Sequence, residues 1–202
     1  MEIVLDSVGK RYGSAWALRD FSHIFSSPGS TAIFGPNGVG KSTLACLMAG
    51  LLIPSEGWIR YSYGGRILER GSWYRHISFT APYLQMPSYL SVDRLIRTYL
   101  SLKGIQIRVE DILGSLSCFS GLRQKHLSEI SQGQRQGLYL ALAFRSGRRV
   151  LLLDEPLQHL DLQGAAWYAE RIRDQQEENT IIVFTSQEDE AGLCQRVISL
   201  VS

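Results

Sequence analysis

No apolar segment of this 202-residue sequence is long enough to cross a membrane as a helix. Uninterrupted apolar runs such as 150–153 and 181–184 fall far short of the roughly 20 residues that a membrane-spanning helix requires. The N-terminus carries the acidic residues Glu2 and Asp6 where a secretory signal would have a basic patch and a long apolar core. These absences predict a protein that stays in the cytoplasm.

The sequence also has few cysteines and a small net charge. The three cysteines, Cys46, Cys118 and Cys194, are widely spaced and odd in number, which suits neither a disulfide framework nor a zinc site. We expect them to be small buried thiols. The formal net charge of +2 is too small to predict nucleic-acid binding on electrostatic grounds, so composition alone names no partner.

Short runs rich in Val, Ile and Phe alternate with longer helical patterns along much of the chain. This alternation is typical of a parallel sheet covered by helices on both faces, so we predict an α/β core. The predicted strands are Ile3 to Leu5, Phe21 to Phe25, Thr31 to Phe34, Trp58 to Tyr63, His76 to Phe79, Val150 to Asp154, Ile181 to Thr185 and Val197 to Leu200.

The strand pattern disappears between about residues 82 and 148, where apolar residues recur at helical spacing. The clearest example, with i, i+3, i+4, i+7 spacing, comprises Val92, Leu95, Ile96 and Tyr99. We therefore predict a single domain over 1–202, with a core of 1–81 and 149–202 and an inserted helical subdomain at about 82–148.

A glycine-rich segment follows the strand predicted at 31–34 and leads into a helix predicted to end near Leu52. It reads Gly35-Pro36-Asn37-Gly38-Val39-Gly40-Lys41-Ser42-Thr43 and fits the G-x-x-x-x-G-K-[ST] pattern of a phosphate-binding loop. Glycines let successive backbone N–H groups point at one anion, and the helix adds the positive end of its dipole. Lys41 is predicted to reach the β- and γ-phosphates, and Ser42 to bind Mg²⁺. The helix is predicted to pack on the sheet through Leu44, Leu47, Met48 and Leu51.

Two carboxylates, Asp154 and Glu155, directly follow the apolar run 150–153. They would lie at the carboxyl end of a buried strand, where α/β sheets bind ligands. In combination with a phosphate loop, Asp154 is predicted to hold Mg²⁺ through its water shell, and Glu155 to polarise the water that attacks the γ-phosphate. The alternative is a pair of helix-start carboxylates without chemistry.

The segment between these two motifs indicates which class of phosphate-loop protein the chain resembles. Ile130-Ser131-Gln132-Gly133-Gln134-Arg135-Gln136 resembles the Leu-Ser-Gly-Gly-Gln-Arg-Gln signature of ABC transporter ATPases, with Ile130 and Gln132 as departures. A Ser and a Gly that open a helix supply a hydroxyl and exposed N–H groups for an anion, although Ser131 by itself could be an ordinary N-cap. The resemblance covers nearly the whole chain, whose size is close to that of compact, haem-exporter-like members.

This resemblance implies a P-loop NTPase fold, with a RecA-like parallel-sheet core, an N-terminal antiparallel β portion and an inserted helical subdomain. It also implies ATP and Mg²⁺ as ligands, with Thr43 near the α-phosphate and Tyr12 stacked on adenine. The alternative for Tyr12 is a strand aromatic in the core. In this family two subunits bind head to tail, so Ser131, Gly133 and Gln134 would complete the ATP site of the partner.

Three places depart from the family pattern. Ser186 stands where the family usually has a histidine, and a serine is too short to reach a γ-phosphate as an imidazole does. The family also has a glutamine that links Mg²⁺ to the helical lobe, and direct register puts Pro82 at its position. We predict that Gln85, three residues later, is the metal ligand instead. The alternative is that Gln85 is a surface-loop residue. The loop after Glu155 keeps Leu160 and Asp161 but lacks the usual Thr-Ser-Gly.

The sequence therefore predicts an ATP-binding and ATP-hydrolysing subunit of an ABC transporter, with Lys41 and Glu155 as catalytic residues. We expect a dimer of identical subunits that powers a separate integral-membrane permease from the inner face of the cell membrane, and no nucleic-acid partner. The segment from Tyr83 to Tyr99 would dock on the permease, or else belong to the core of the helical lobe. The alternative functions are a soluble ABC-type regulatory ATPase, or a transporter subunit whose hydrolysis is weakened by Ser186.

Overall fold

Two β-sheets, six α-helices and three short 3₁₀ helices make up the regular structure of the residues that the computed structural model describes, 1–69, 71–84 and 86–201. The strands are β1 (Glu2–Tyr12), β2 (Ala15–Ser26), β3 (Gly29–Phe34), β4 (Glu56–Tyr63), β5 (Arg66–Ile67), β6 (Ile77–Thr80), β7 (Val150–Asp154), β8 (Thr180–Thr185) and β9 (Arg196–Ser199). The helices are α1 (Lys41–Met48), α2 (Val92–Lys103), α3 (Val109–Leu113), α4 (Gln132–Phe144), α5 (Leu162–Gln175) and α6 (Glu188–Ala191). Within the described ranges, no helix has the length and apolar character needed to span a bilayer.

The larger sheet has the strand order β6-β7-β8-β3-β9, and β3 pairs in parallel with both β8 and β9. Strands β7 and β8 are buried along their whole length, as expected for central parallel strands that are covered on both faces. Asp154 pairs with Phe184, and Phe34 pairs with Thr185, so β3, β7 and β8 end side by side. The residues that follow these three strands therefore meet at one edge of the sheet.

The smaller sheet is antiparallel, with the order β2-β1-β4-β5. Its β1–β2 hairpin is long, with strands of 11 and 12 residues, and turns at Gly13 and Ser14. Together the two sheets and the helices confirm the predicted α/β fold class, including its N-terminal antiparallel portion.

Contacts along the chain divide it into two compact units. The first comprises Met1–Phe79, Arg148–Glu155 and Ile172–Ser202, and the second comprises Thr80–Gly147 and Pro156–Arg171. Besides most of the predicted helical subdomain, the second unit contains residues 156–171, which the sequence pattern assigns to the core. Its interior contains the residues that the helical spacing singled out, with Val92, Leu95 and Ile96 buried.

Helix α1 is shorter than predicted. It ends at Met48 rather than near Leu52, and Leu51, predicted to pack on the sheet, has 59% of its surface exposed. Gly50 explains the early end because its φ of +76° is a left-handed conformation that terminates helices. A Cβ there would also lie 2.8 Å from Trp73 Nε1, which leaves glycine as the residue that fits.

The three cysteines are only partly buried, so the prediction of buried thiols was wrong in degree. Burial raises the pKa of the Cys194 thiol to about 12. Cys194 is therefore a neutral thiol at physiological pH.

Candidate functional site

The phosphate loop connects β3 to α1, the arrangement that its sequence pattern requires. Gly38 and Gly40 have φ values of +85° and +107°, which L side chains rarely adopt. A Cβ on Gly40 would lie 2.3 Å from the carbonyl oxygen of Ala17, so the close approach of β2 also requires glycine there. Pro36, Asn37 and Gly38 are exposed to solvent. The loop thus presents accessible backbone at the N-terminal end of an eight-residue helix, where an anion is stabilised.

Lys41 is buried at the start of α1, with only 4% of its surface exposed. Its Nζ donates hydrogen bonds to the carbonyl oxygens of Gly35 at 2.8 Å and Pro36 at 3.1 Å, and lies 3.5 Å from Glu155 Oε1. A buried ammonium is tolerated when it is paired and hydrogen-bonded in this way. The fold thus holds a positive charge beside the loop and links it to the acidic residue predicted to be catalytic.

The two predicted acidic residues occupy different environments at the end of β7. Asp154 is the last residue of the strand and is fully buried. Glu155 has a φ of +43°, an unusual conformation for a residue other than glycine, and its backbone N–H donates to the carbonyl of Phe184 at 2.8 Å. Such a conformation costs about 1–2 kcal/mol and persists only where the surroundings impose it. It turns the partly exposed Glu155 side chain toward Lys41 instead of continuing the strand.

Ser186 contacts Glu155, a contact that sequence reasoning missed. The Ser186 hydroxyl lies 3.5 Å from Glu155 Oε2, within hydrogen-bonding distance, while the other carboxylate oxygen faces Lys41. The available signal was the position of Ser186 just after β8, the strand that pairs with β7. Because neighbouring parallel strands end together, residues that follow them are candidates for contact.

The donor groups in this unit fit a triphosphate with its Mg²⁺. Ser42 is exposed in the first turn of α1, and Asp154 supplies a carboxylate, so both offer the hard oxygen atoms that Mg²⁺ prefers. In the parts of the chain that the structure describes, no group of three or more His, Cys, Asp and Glu side chains is placed to hold a metal. Mg²⁺ carried with a nucleotide usually takes one or two protein ligands and completes its shell with phosphates and water, which fits the two donors Ser42 and Asp154. Gln85, the third predicted ligand, lies outside the described residues.

Tyr12 is the last residue of β1 and has 53% of its surface exposed. This exposure contradicts the alternative that it is a core aromatic. The Nζ of Lys10 lies 5.5 Å from the centre of its ring. Tyr12 is therefore accessible to a planar ligand group.

In the second unit, the signature-like segment caps helix α4. Ser131 Oγ accepts a hydrogen bond from Gln134 N at 3.1 Å, and Gln134 Oε1 accepts one from Ser131 N at 3.1 Å. This reciprocal pair is a capping box, and Gln134 Nε2 also donates to Cys118 O at 3.2 Å. The N-cap role considered for Ser131 is therefore present, and Ser131 itself is exposed at the helix N-terminus.

A cavity of about 450 Å³ opens beside this capped helix. It is lined by 131–134 and 159–161, together with Leu116, Cys118, Gly137 and Gly164. Gly133 is needed where the two segments meet, because a Cβ there would lie 2.5 Å from the carbonyl oxygen of His159. The signature-like segment and the loop after Glu155 thus shape one surface of this unit.

A phosphate loop and a strand-end acidic pair on a parallel sheet define the class of P-loop nucleotide-binding proteins. The family described as ABC transporter matches residues 18–158, which is more than half of the chain. The chain therefore belongs to the ABC transporter family, as its sequence resemblance predicted.

Two relatives are named sulfate/thiosulfate import ATP-binding protein CysA. The one from Thermosynechococcus vestitus is 31% identical over 98% of this chain and 61% of its own length. The one from Gloeobacter violaceus is 33% identical over 94% of this chain and 57% of its own length. The chain thus spans about three fifths of the length of these relatives.

Solved structures support the fold. A dimeric ATP-binding cassette described as a post-hydrolysis state bound to ADP and Pi has a TM-score of 0.85 to this chain at 21% identity. The match covers 98% of this chain and 94% of the cassette. The predicted P-loop NTPase fold is thereby confirmed.

Proposed function

We propose that this chain binds and hydrolyses Mg-ATP as the energy-supplying subunit of an ABC transporter. The observation that carries the proposal is the convergence of Lys41, Glu155 and Ser186 at the ends of three adjacent strands, beside an exposed glycine loop. The names of the relatives, which are ATP-binding proteins of import systems, support the same function.

In this proposal the phosphates bind to the backbone of 35–40 and to Lys41, with Thr43 near the α-phosphate. Ser42 and Asp154 hold Mg²⁺, which would neutralise charge on the phosphoryl oxygens. Glu155 orients and polarises the attacking water. Its Oε1, 3.5 Å from Lys41 Nζ, becomes available to that water when Lys41 binds the phosphates, while Ser186 stays 3.5 Å from Oε2. Gln85 remains a proposed third contact to the metal.

We further propose that two copies of the chain dimerise head to tail around ATP. Ser131, Gly133 and Gln134 line an open cavity at a capped helix N-terminus, which suits the phosphates of a nucleotide held mainly by the partner subunit. The dimeric cassette of matching fold supports this arrangement. We place the assembly on the inner face of the cell membrane, bound to an integral-membrane permease, with no nucleic-acid partner.

The proposed docking surface for the permease is the start of the segment 83–99. Tyr83 and Met86 are exposed, and Tyr89 has 73% of its surface exposed. The later part of the segment instead forms the first turns of α2 and buries Val92 and Leu95. Permease docking is therefore proposed for the exposed residues before α2, and a place in the core of the helical lobe for the first turns of α2.

The direct test is phosphate release by the purified protein and by Glu155→Gln. We expect the substitution to lower the turnover number at least a hundred-fold, the usual contribution of a positioned general base, and to leave ATP binding intact. Glu188→Gln, at an exposed acid that opens α6, is the matched control and should behave as the unaltered protein. Equal rates for Glu155→Gln and the unaltered protein would remove the role assigned to Glu155.

A further inference from the structure

One residue that lines the cavity beside α4 has an unusual backbone conformation. His159 has a φ of +69°, in the left-handed region that glycine and asparagine adopt far more readily than other residues. Its carbonyl oxygen packs against the start of α4, where a Cβ on Gly133 would lie 2.5 Å from it. Strained residues of this kind cluster at functional sites, so His159 is a candidate for a role in this cavity.

The imidazole of His159 is exposed, and within the part of the chain that the structure describes it forms no hydrogen bond or ion pair. The other three histidines each lie against a neighbour: His23 has its ring centre 4.5 Å from that of Phe25, His76 6.1 Å from that of Tyr63, and His126 has its Nδ1 2.7 Å from Tyr89 O. His159 thus differs from them in having its ring nitrogens available to a ligand.

The charges around the cavity suit an anion at this place. Among the described residues that line the cavity of about 450 Å³, His159 is the only basic one and Asp161 the only acidic one. Asp161 Oδ1 already accepts a hydrogen bond from Gly164 N at 2.7 Å. A neighbouring cavity of about 130 Å³ shares Gln132 and His159 with the first and adds Arg135. An imidazole and a guanidinium therefore lie beside the positive end of the α4 dipole.

We propose that the imidazole of His159 in one copy of the chain donates a hydrogen bond to the terminal phosphate of the ATP held by the phosphate loop of the other copy. This inference rests on the proposed function and on its head-to-tail dimer. An imidazole has an N–H donor in both its neutral and its protonated form. A donor aimed at the phosphoryl oxygens stabilises the charge on them during transfer, so His159 is a catalytic residue that each copy supplies to the other.

The left-handed conformation of His159 separates this role from a structural one. His159→Gly removes the imidazole and also relieves the backbone strain, so the melting temperature should not fall. The turnover number for ATP should nevertheless fall about a hundred-fold, the lower end of the loss that follows removal of one such donor. Free imidazole added to the variant should restore part of the rate, because the open cavity admits it.

Asp20→Gly is the matched control. Asp20 is also a residue other than glycine in the left-handed region, with a φ of +54°, and it is exposed on β2 in the first unit. Its replacement relieves the same kind of strain without touching either cavity, so the turnover number should match that of the unaltered protein.

Mixing two variants tests whether His159 acts on the other copy. Lys41→Ala has no working phosphate loop but keeps His159, and His159→Gly keeps the loop. In a mixed dimer the intact loop of the second variant faces the intact His159 of the first, so the mixture should release more phosphate than either variant alone. If His159 acted on the nucleotide of its own chain, neither site of the mixed dimer would be complete.

Three results would overturn the inference: an unchanged turnover number in His159→Gly, a loss that added imidazole does not relieve and that accompanies a lower melting temperature, or a mixture no more active than its components. Recovery by the pair Lys41→Ala and Ser131→Arg, without recovery by the pair Lys41→Ala and His159→Gly, would leave the shared site standing and remove His159 from it. If the unaltered protein releases no phosphate, the proposed function itself fails, and the inference falls with it.

Discussion

The proposed chemistry depends most on Glu155, whose two carboxylate oxygens lie near Lys41 and Ser186. Lys41 lies 3.5 Å from one carboxylate oxygen and comes from the phosphate-loop motif. Ser186 lies 3.5 Å from the other and replaces the histidine usual in the family. The serine can therefore hold the carboxylate, but it is too short to extend past Glu155 toward a bound phosphate.

This difference predicts the effect of restoring the longer side chain. Ser186→His should raise the turnover number several-fold, because an imidazole can contact Glu155 and still reach further with its second nitrogen. Ser186→Ala, which removes the contact with Glu155 and adds no reach, should lower it. Steady-state phosphate release by the three proteins at saturating ATP measures both effects, and a histidine variant no faster than the unaltered protein would show that the substitution is neutral.

At the residue scale, the sequence predicts what is local and misses what is brought together by folding. Gly35 to Thr43 and the pair Asp154 and Glu155 are contiguous motifs, so their residue types and order are enough to predict a site there. The contact of Ser186 with Glu155 joins the ends of two strands and depends on which strands are neighbours. The packing of Trp16 beside Gly9 depends on the register of the hairpin.

At the element scale, each of the eight predicted strands corresponds to an observed one, and the bounds of β7 match fully. The strands that differ most are β1 and β2, which are much longer than predicted. Their register shifts between Leu5 and Val8 and again near Lys10, and Ser7 has a φ of +49°. These bulges interrupt the apolar alternation by which a strand is recognised in sequence.

The connection before α2 gives an element-scale prediction about the partner. Tyr89→Ala should reduce recovery of the permease when the tagged chain is purified from detergent-solubilised membranes, because it removes the most exposed aromatic of the proposed docking surface. Its effect on phosphate release by the isolated chain should be small. Leu102→Ala, at an apolar residue with 81% of its surface exposed near the other end of α2, is the control.

Recovery of a multi-span membrane protein with the unaltered chain and with Leu102→Ala, and its loss with Tyr89→Ala, is the expected pattern. Equal recovery with Tyr89→Ala would place the permease contact elsewhere. Recovery of nucleic acid in place of a membrane protein would favour the soluble regulatory ATPase.

At the scale of the whole molecule, the two halves of the proposed ATP site lie in different compact units. The phosphate loop and the acidic pair are in the first unit, while Ser131 and its cavity are in the second. The order of the motifs along the chain predicted that both would be present. It did not predict that residues 156–171 group with the second unit, because the strand and loop signals around Glu155 look continuous in sequence.

The central claim is that two copies of this chain share their ATP sites, and mixing two inactive variants tests it most directly. Lys41→Ala disables the phosphate loop, and Ser131→Arg blocks the signature-like surface, so each variant alone should release little phosphate. In a mixed dimer, the intact loop of the Ser131→Arg subunit faces the intact signature of the Lys41→Ala subunit, so the mixture should recover part of the unaltered activity. A mixture of the two folded variants as inactive as each alone would contradict shared, head-to-tail sites.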